Sequence, residues 1–265
     1  MSAALKRSTD NLLLASLAPS DLSLLEPHFE TTQLKLRDVL VHPGRTIEHV
    51  YFPLYGIGSV VSTGGDGTRL EVGIFGRDGM SATSLLLGVD QTPQEMFMQV
   101  PGVGLRIEAA AFTAALRQSP SLHASLLKYI QTFTIQTAHT AVSNGSYTIE
   151  ERLARWLLMC HDRLDTDDLP LTHDFLAIML AVRRSGVTVA VQTLEGAGMI
   201  KGHRGRVTIL DRAKLLETAN GSYGPPEAEY ERLIGPLDRR AGRQSSDTAQ
   251  PLRPRLVAGP GAGED

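Results

Sequence analysis

The hydrophobic and polar positions of this chain change their spacing along the sequence, and each change marks a different kind of secondary structure. Between residues 33 and 107, short apolar runs are separated by turn residues such as His42-Pro43-Gly44 and Gly64-Gly65-Asp66-Gly67. Short runs at this spacing predict the strands of a sandwich or a barrel. We expect strands at residues 33–41, 49–56, 57–62, 70–76 and 96–107.

The spacing becomes helical after Pro120, where side chains recur three and four positions apart along one stripe of a long helix. The helix is about 35 Å long at the usual rise per residue, and Asn144-Gly145 is predicted to end it. The stripe can cover the core of its own domain or form the seam of a homodimer, and the pattern leaves both open. The predicted dimerisation residues are Leu122, Leu126, Tyr129, Ile130, Phe133, Thr137 and Thr140.

Further helices are predicted after residue 147. Thr148 and Glu151 have the spacing of a capping box, and Cys160 is expected to be a buried small hydrophobe. Two short helices follow at about 173–180 and 184–195. Such a pair indicates a helix-turn-helix, whose second helix enters the DNA major groove, although any tight helical hairpin shows a similar pattern. The small residues expected where the helices cross are Ala177 and Ala181, and the buried face of the second helix is predicted to carry Val187, Ala190, Val191 and Leu194.

Positive charge concentrates on this segment. Residues 183–206 hold five Lys or Arg and one Glu, a local charge of +4, whereas the whole chain carries −3. Residues 199–210 predict a hairpin with a Gly-His-Arg-Gly turn, and a basic hairpin after a helix-turn-helix indicates a wing placed for phosphate contacts. The candidate DNA-binding residues are Arg183, Arg184, Ser185, Thr188, Val189, Gln192, Lys201, His203, Arg204 and Arg206.

Composition narrows the class of protein. The chain has 265 residues, 42% of them hydrophobic and 21% charged, which is typical of a globular protein with a packed core. A single cysteine excludes an intramolecular disulfide and a cysteine-built zinc or iron–sulfur site. No apolar run reaches the ~20 residues of a membrane-spanning helix, and no secretory signal is recognisable. We therefore expect a soluble, cytoplasmic protein that does not bind membranes.

Catalytic motifs are not evident. The sequence has no nucleophile elbow, no HExxH motif and no P-loop. The Gly196–Gly202 stretch follows a helix rather than a strand, which is the wrong context for a nucleotide loop. We expect no enzymatic activity, no catalytic residue, no cofactor and no metal site.

The order of these elements resembles the Crp/Fnr superfamily of bacterial transcription factors over about residues 10–218, most strongly in ERLARWLLMCHDRL and in LPLTHDFLAIMLAVRRSGVTVAVQTLEGAGMI. The resemblance implies an α+β fold with an N-terminal cyclic-nucleotide-binding-like β-roll, a long dimerisation helix and a C-terminal winged helix-turn-helix. The expected divisions are a sensor domain at 1–118, the dimerisation helix and hinge at 119–147, a DNA-binding domain at 148–221 and a C-terminal extension at 222–265, disordered from about residue 236.

The resemblance also implies partners: double-stranded DNA with a palindromic operator, a second copy of the chain and RNA polymerase. Arg184 stands where family members carry a base-reading arginine, but Ser185 and Val189 depart from the usual pattern, so a different sequence preference is expected. The alternative is a ligand-binding or protein-interaction module whose winged helix no longer binds DNA.

The effector site departs further from the family pattern. Cyclic-nucleotide binders hold the ribose with a Gly-Glu pair and the phosphate with an Arg-Ser pair. This chain has Gly79-Met80 at the first position, and Thr92, Pro93, Gln94 and Glu95 at the second. A cyclic phosphate needs fixed donors or a cation. We therefore expect an unidentified small-molecule effector other than cyclic AMP or cyclic GMP, with binding residues unknown.

Overall fold

The computed structural model describes residue 8 and residues 10–237, without the side chains of His173 and Asp174. The strands in this part are β1 Glu30–Leu34, β2 Val39–Val41, β3 His49–Thr63, β4 Arg69–Phe75, β5 Glu95–Glu108, β6 Asp168–Leu169, β7 Ile200–His203 and β8 Arg206–Ile209. The α-helices are α1 Leu12–Ala15, α2 Pro19–Leu25, α3 Ala109–Gln118, α4 Pro120–Ser146, α5 Ile149–Arg163, α6 His173–Met179, α7 Arg184–Gly196, α8 Arg212–Thr218 and α9 Pro225–Leu233.

The N-terminal domain is an antiparallel β-roll with strand order β1-β5-β3-β4, in which β2 also pairs with β5. The predicted strand at 33–41 is interrupted, because Arg37 adopts a left-handed φ of 69° and the Asp38 carboxylate accepts a hydrogen bond from the Lys35 amide. The two strands predicted at 49–56 and 57–62 are instead one long strand. Gly56, with a φ of 98°, bends β3 without ending its pairing with β5.

The core of this domain lies between the sheet and the helices α1, α3 and α4, around Phe52, Phe75 and Phe112. Helix α4 extends through Asn144 and Gly145 to Ser146, so the predicted end is wrong. Neither residue has a left-handed φ. The chain leaves the helix at Tyr147, in the extended conformation that leads directly into the N-cap of α5.

The C-terminal domain begins with the predicted capping box. The Thr148 hydroxyl accepts from the Glu151 amide at 3.3 Å, and the Glu151 carboxylate accepts from the Thr148 amide at 2.7 Å. Helix α5 is buried along most of its length, and Cys160 is buried as expected. Around it lie α6, α7, α8 and a sheet with strand order β6-β8-β7.

The two domains are joined by polar and apolar contacts. Ile57, Ile74 and Val100 of the β-roll pack in one cluster with the side chains of α5. The Arg163 guanidinium of α5 donates to the Asp78 carboxylate of the roll at 2.6 Å, and only 3% of each side chain is exposed. The C-terminal domain is therefore held against the N-terminal domain in this structure.

The C-terminal extension contributes to the first core. Tyr230 of α9 and Leu237 are both buried there, and the Tyr230 hydroxyl donates to the Asp78 carbonyl at 2.7 Å. Leu237 lies at the start of the tail that is predicted to be disordered from about residue 236, and its apolar side chain packs into the core beside Tyr230. The remainder of that predicted tail, from residue 238, lies outside the described residues.

Candidate nucleic-acid interface

Helix α7 has one buried face and one exposed face, as its residue spacing predicted. Its buried face consists of Val187, Ala190, Val191 and Leu194, as the spacing predicted. The exposed side chains include Arg184, Ser185, Val189 and Gln192, and Thr188 is half-buried at the border. The Thr188 hydroxyl donates to the Arg184 carbonyl at 3.1 Å, a local bond within the helix. The first turn of α7 thus displays a cation and polar groups away from the core.

The turn between α6 and α7 is tight and anchored. Thr172 caps α6 by accepting from the Phe175 amide at 3.3 Å, and the Arg152 guanidinium of α5 donates to the Leu180 carbonyl. Ala181 is exposed in the turn with a left-handed φ of 49°, so it does not lie at the helix crossing as predicted. Its small side chain serves the turn geometry instead, since this conformation disfavours bulky residues.

The predicted wing is the hairpin of β7 and β8. Its turn consists of Arg204 and Gly205, and the glycine supplies a φ of 73°. Lys201 forms a 2.7 Å ion pair with Glu195 at the end of α7, whereas Arg206 lies 3.5 Å from Asp168 of β6. Among the described residues, Arg183 and Arg204 have no carboxylate partner, and both are exposed together with His203.

A polar network that sequence reasoning missed joins α5, α8 and the segment after α8. The buried Asp162 carboxylate accepts from the Arg212 guanidinium at 2.6 Å and from the Tyr223 hydroxyl at 2.7 Å. Burial, with Asp162 nearby, raises the pKa of Tyr223. Arg212 also contacts the His161 ring at 2.9 Å. Helix α5, helix α8 and the segment that carries Tyr223 meet only in the folded chain, so no local sequence signal indicates the network.

The cleft between the β-roll and α4 is filled by side chains. A Cβ atom on residue 79 would lie 2.0 Å from the Tyr129 hydroxyl, so only glycine permits this contact. Met80 is buried beside it. The Arg77 guanidinium donates to Asp165 and to the Asp162 carbonyl, which directs it toward the DNA-binding domain rather than into the roll.

The predicted dimerisation residues are distributed over two environments. Leu122, Leu126 and Tyr129 are enclosed by the core of their own domain, which corrects their assignment to a surface seam, because a side chain already buried in one chain has no area left to bury against another. Ile130, Phe133, Thr137 and Thr140 are half-buried along the same face. The Thr137 and Thr140 hydroxyls donate to carbonyls one turn earlier in the helix.

The described part of the chain holds neither a cluster of metal ligands nor a membrane-spanning helix. Within residues 10–237, no group of three or more His, Cys, Asp or Glu side chains could hold a metal ion. None of the helices in the described part of the chain combines the length and the apolar character that crossing a bilayer requires.

The segment that contains the helix-turn-helix and the wing matches a known domain family. Residues 151–218 match the family model of the Crp-like helix-turn-helix domain. This segment is therefore a Crp-like helix-turn-helix domain. No curated protein matches the chain in sequence.

Solved Crp/Fnr structures share the fold over 72–79% of this chain. A Crp/Fnr-family regulator from Eubacterium rectale has a TM-score of 0.61 at 17% identity, covering 79% of this chain and 98% of its own. FixK2 from Bradyrhizobium japonicum has a TM-score of 0.60 at 14% identity, with 72% and 96% covered. CLP from Xanthomonas campestris, described as responsive to c-di-GMP, has a TM-score of 0.59 at 14% identity, with 72% and 99% covered. These likenesses confirm the predicted α+β fold of a β-roll, a long helix and a winged helix-turn-helix.

Proposed function

We propose that this chain is a DNA-binding transcriptional regulator of the Crp/Fnr type. It binds a palindromic operator as a homodimer, reads bases through the start of α7, and responds to an effector other than cyclic AMP or cyclic GMP. The observation that carries the proposal is the exposed first turn of α7, with Arg184, beside a wing whose tip presents Arg204. The proposed divisions are the sensor at 1–118, the dimerisation helix and hinge at 119–147, the DNA-binding domain at 148–221 and the extension at 222–265. RNA polymerase is the further partner we expect.

Base reading is assigned to the exposed side chains of α7. Arg184 begins the helix, where a guanidinium can make paired hydrogen bonds to guanine O6 and N7. Val189 is 57% exposed one turn later and has the apolar character that suits contact with a thymine methyl group. Ser185, Thr188 and Gln192 supply the remaining polar groups. Arg183 and the wing residues Lys201, His203, Arg204 and Arg206 are assigned to the phosphate backbone.

Dimerisation is assigned to the exposed face of α4. Six exposed side chains follow one another at alternating spacings of three and four, which is the repeat of a coiled-coil seam: Ala124, Leu127, Gln131, Thr134, Ala138 and Ala141. Leu127 and the adjacent Val142 are 38% and 54% exposed. This stripe lies opposite Leu122, Leu126 and Tyr129, and small side chains along it allow close approach of two helices.

The choice of effector rests on the filled cleft beside α4. Tyr129 occupies the space against Gly79, and Met80 replaces a carboxylate that would bind ribose. Glu95 lies outside this cleft, where it is ion-paired with Arg69, which the fold brings across from β4. A cyclic phosphate in the cleft would find no unbalanced cation, since the nearby Arg77 is paired with Asp165.

Two arginine variants test the DNA-binding assignment. Arg184→Ala should reduce the preference for operator over scrambled duplex by about 1–3 kcal/mol, whereas Arg204→Ala should weaken binding to both duplexes alike. The salt slope for Arg204→Ala should also fall by roughly 0.9. Fluorescence anisotropy on both duplexes across a salt series measures both effects.

Arg232→Ala serves as the control, since it removes an exposed cation from α9, outside the winged helix, and should leave both affinities unchanged. If Arg184→Ala weakens both duplexes equally, Arg184 contacts phosphate and the assignment of the reading face is wrong. If the wild-type chain binds neither duplex, the DNA-binding function fails as a whole.

A further inference from the structure

A cavity of about 390 Å³ lies between the outer surface of the β-roll and helix α6. Its walls come from both domains, with Phe97 and Arg69 on the roll and with Phe175 and Ile178 on α6. It is separate from the filled cleft between Gly79 and α4, with which it shares no lining residue. Its volume falls in the range typical of small-molecule sites.

The floor of the cavity is aromatic. The rings of Phe97 and Phe175 stack with centroids 6.3 Å apart and planes inclined by 25°. Both side chains are buried, and Val61 completes the small apolar cluster they form. Both rings line the cavity, one from each domain, and offer apolar contact to an aromatic ligand.

The rim of the cavity is cationic, and one of its two cations is unbalanced. Arg69 lies with its Cζ atom 5.7 Å from the Phe97 ring centroid and is ion-paired with Glu95. Arg37 lies 5.5 Å from the Phe175 ring centroid and has no carboxylate partner among the residues described. The cavity therefore carries a net charge of about one positive unit, located on Arg37.

Arg37 is held in position by its backbone. Its amide donates to the Met98 carbonyl of β5 at 2.8 Å, although its φ of 69° is a left-handed conformation that disfavours a long side chain. Such strain persists only where the surrounding structure imposes it, and it concentrates at ligand sites. The backbone of Arg37 is thus anchored at the cavity rim, from which its side chain reaches the Phe175 ring.

We propose that this cavity binds an aromatic monocarboxylate. The aromatic ring lies against Phe97 and Phe175, and the carboxylate accepts a pair of hydrogen bonds from Arg37, which a guanidinium supplies in the required planar geometry. One unbalanced positive charge matches a monoanion. A dianionic phosphate ester would bring a second negative charge for which the rim has no unbalanced cation.

A ligand bound here contacts both domains at once. Phe175 and Ile178 belong to the first helix of the helix-turn-helix, while Arg37 and Phe97 belong to the sensor. A ligand that binds one arrangement of the domains better than another shifts their equilibrium toward it. The binding itself stands without the proposed function, whereas any effect on DNA affinity rests on it.

Titration calorimetry of the full chain with 2-naphthoate tests the site. We expect saturable binding of 2-naphthoate, and no binding of 2-naphthalenemethanol, which lacks the charge, or of cyclohexanecarboxylate, which lacks the ring. Arg37→Gln should weaken binding by about tenfold or more, the loss expected for a charged hydrogen-bonding partner. Phe175→Leu should weaken it as well, with an unchanged circular dichroism spectrum.

The matched control is Lys35→Gln, which removes another exposed cation from the same turn but does not line the cavity. The proposal would be overturned if 2-naphthoate did not bind at millimolar concentration or if the alcohol bound equally well. An equal loss of affinity in Arg37→Gln and Lys35→Gln would overturn it too. Operator anisotropy with and without 2-naphthoate is a separate measurement. An unchanged operator affinity would refute the coupling, and a chain that never binds operator would refute the proposed function while the calorimetric result stands.

Discussion

Glu71 is a carboxyl group buried between the sensor and the DNA-binding domain. Its Oε1 atom accepts from the Trp156 indole at 2.8 Å, and its Oε2 atom lies 2.7 Å from the Ser59 hydroxyl. That hydroxyl also lies 2.7 Å from the Gln99 side-chain oxygen. Ser59 has one proton for two acceptors, so a protonated Glu71 that donates to Ser59 leaves the Ser59 hydroxyl free to donate to Gln99.

Burial raises the pKa of Glu71 from 4.5 to about 7. The folded protein therefore binds more protons than the unfolded chain at pH values between these two numbers, and its stability falls as the pH rises through that window. Stability from this group is fully present below about pH 4.5 and is lost by about pH 8. Between pH 5 and pH 8 the loss is roughly 2–3 kcal/mol, at 1.4 kcal/mol for each unit of pKa difference.

Glu71→Gln removes this pH dependence while keeping the shape of the side chain. The amide can still accept from Trp156 and donate to Ser59, so the variant should be about as stable as the wild type at pH 5 and roughly 2–3 kcal/mol more stable at pH 8. Urea unfolding followed by fluorescence measures the difference directly, because Trp156 is the single tryptophan of the chain and contacts Glu71.

Glu217→Gln is the matched control, since Glu217 is exposed on α8 and its loss should leave the pH profile unchanged. The reasoning is refuted if the Glu71→Gln variant and the wild type lose the same free energy of unfolding between pH 5 and pH 8. That result would mean that Glu71 is ionised in the folded protein throughout the range.

Two further predictions concern the long helix and the domain interface. Leu127→Glu combined with Ala138→Glu should give monomers in sedimentation velocity, because two charges enter the proposed seam, while Ala114→Glu on α3 should not; a dimeric double variant would exclude this face. Arg163→Met should lower the free energy of unfolding by about 3–5 kcal/mol, because it leaves the buried Asp78 carboxylate unpaired. Adding Asp78→Asn should recover part of that loss in thermal unfolding, and no recovery would mean that the pair is not coupled.

Features that depend on near neighbours in the chain could be predicted from the sequence. The capping box joins Thr148 to Glu151 three residues later, and the buried face of α7 follows from residues three and four apart. The wing hairpin could be predicted because Gly205 supplies the left-handed conformation of its turn. Each signal arises from backbone geometry within one or two turns, so no tertiary contact is needed to recognise it.

Features that join distant residues were decided by tertiary structure. Both faces of α4 carry side chains at spacings of three and four, and only packing shows that Tyr129 faces the core while Leu127 faces outward. Arg37 and Phe175 line the same cavity only because the two domains pack against each other. Periodicity along a helix indicates that a face is buried, but the surface that covers it comes from elsewhere in the chain, and the free energy of burial depends on that partner.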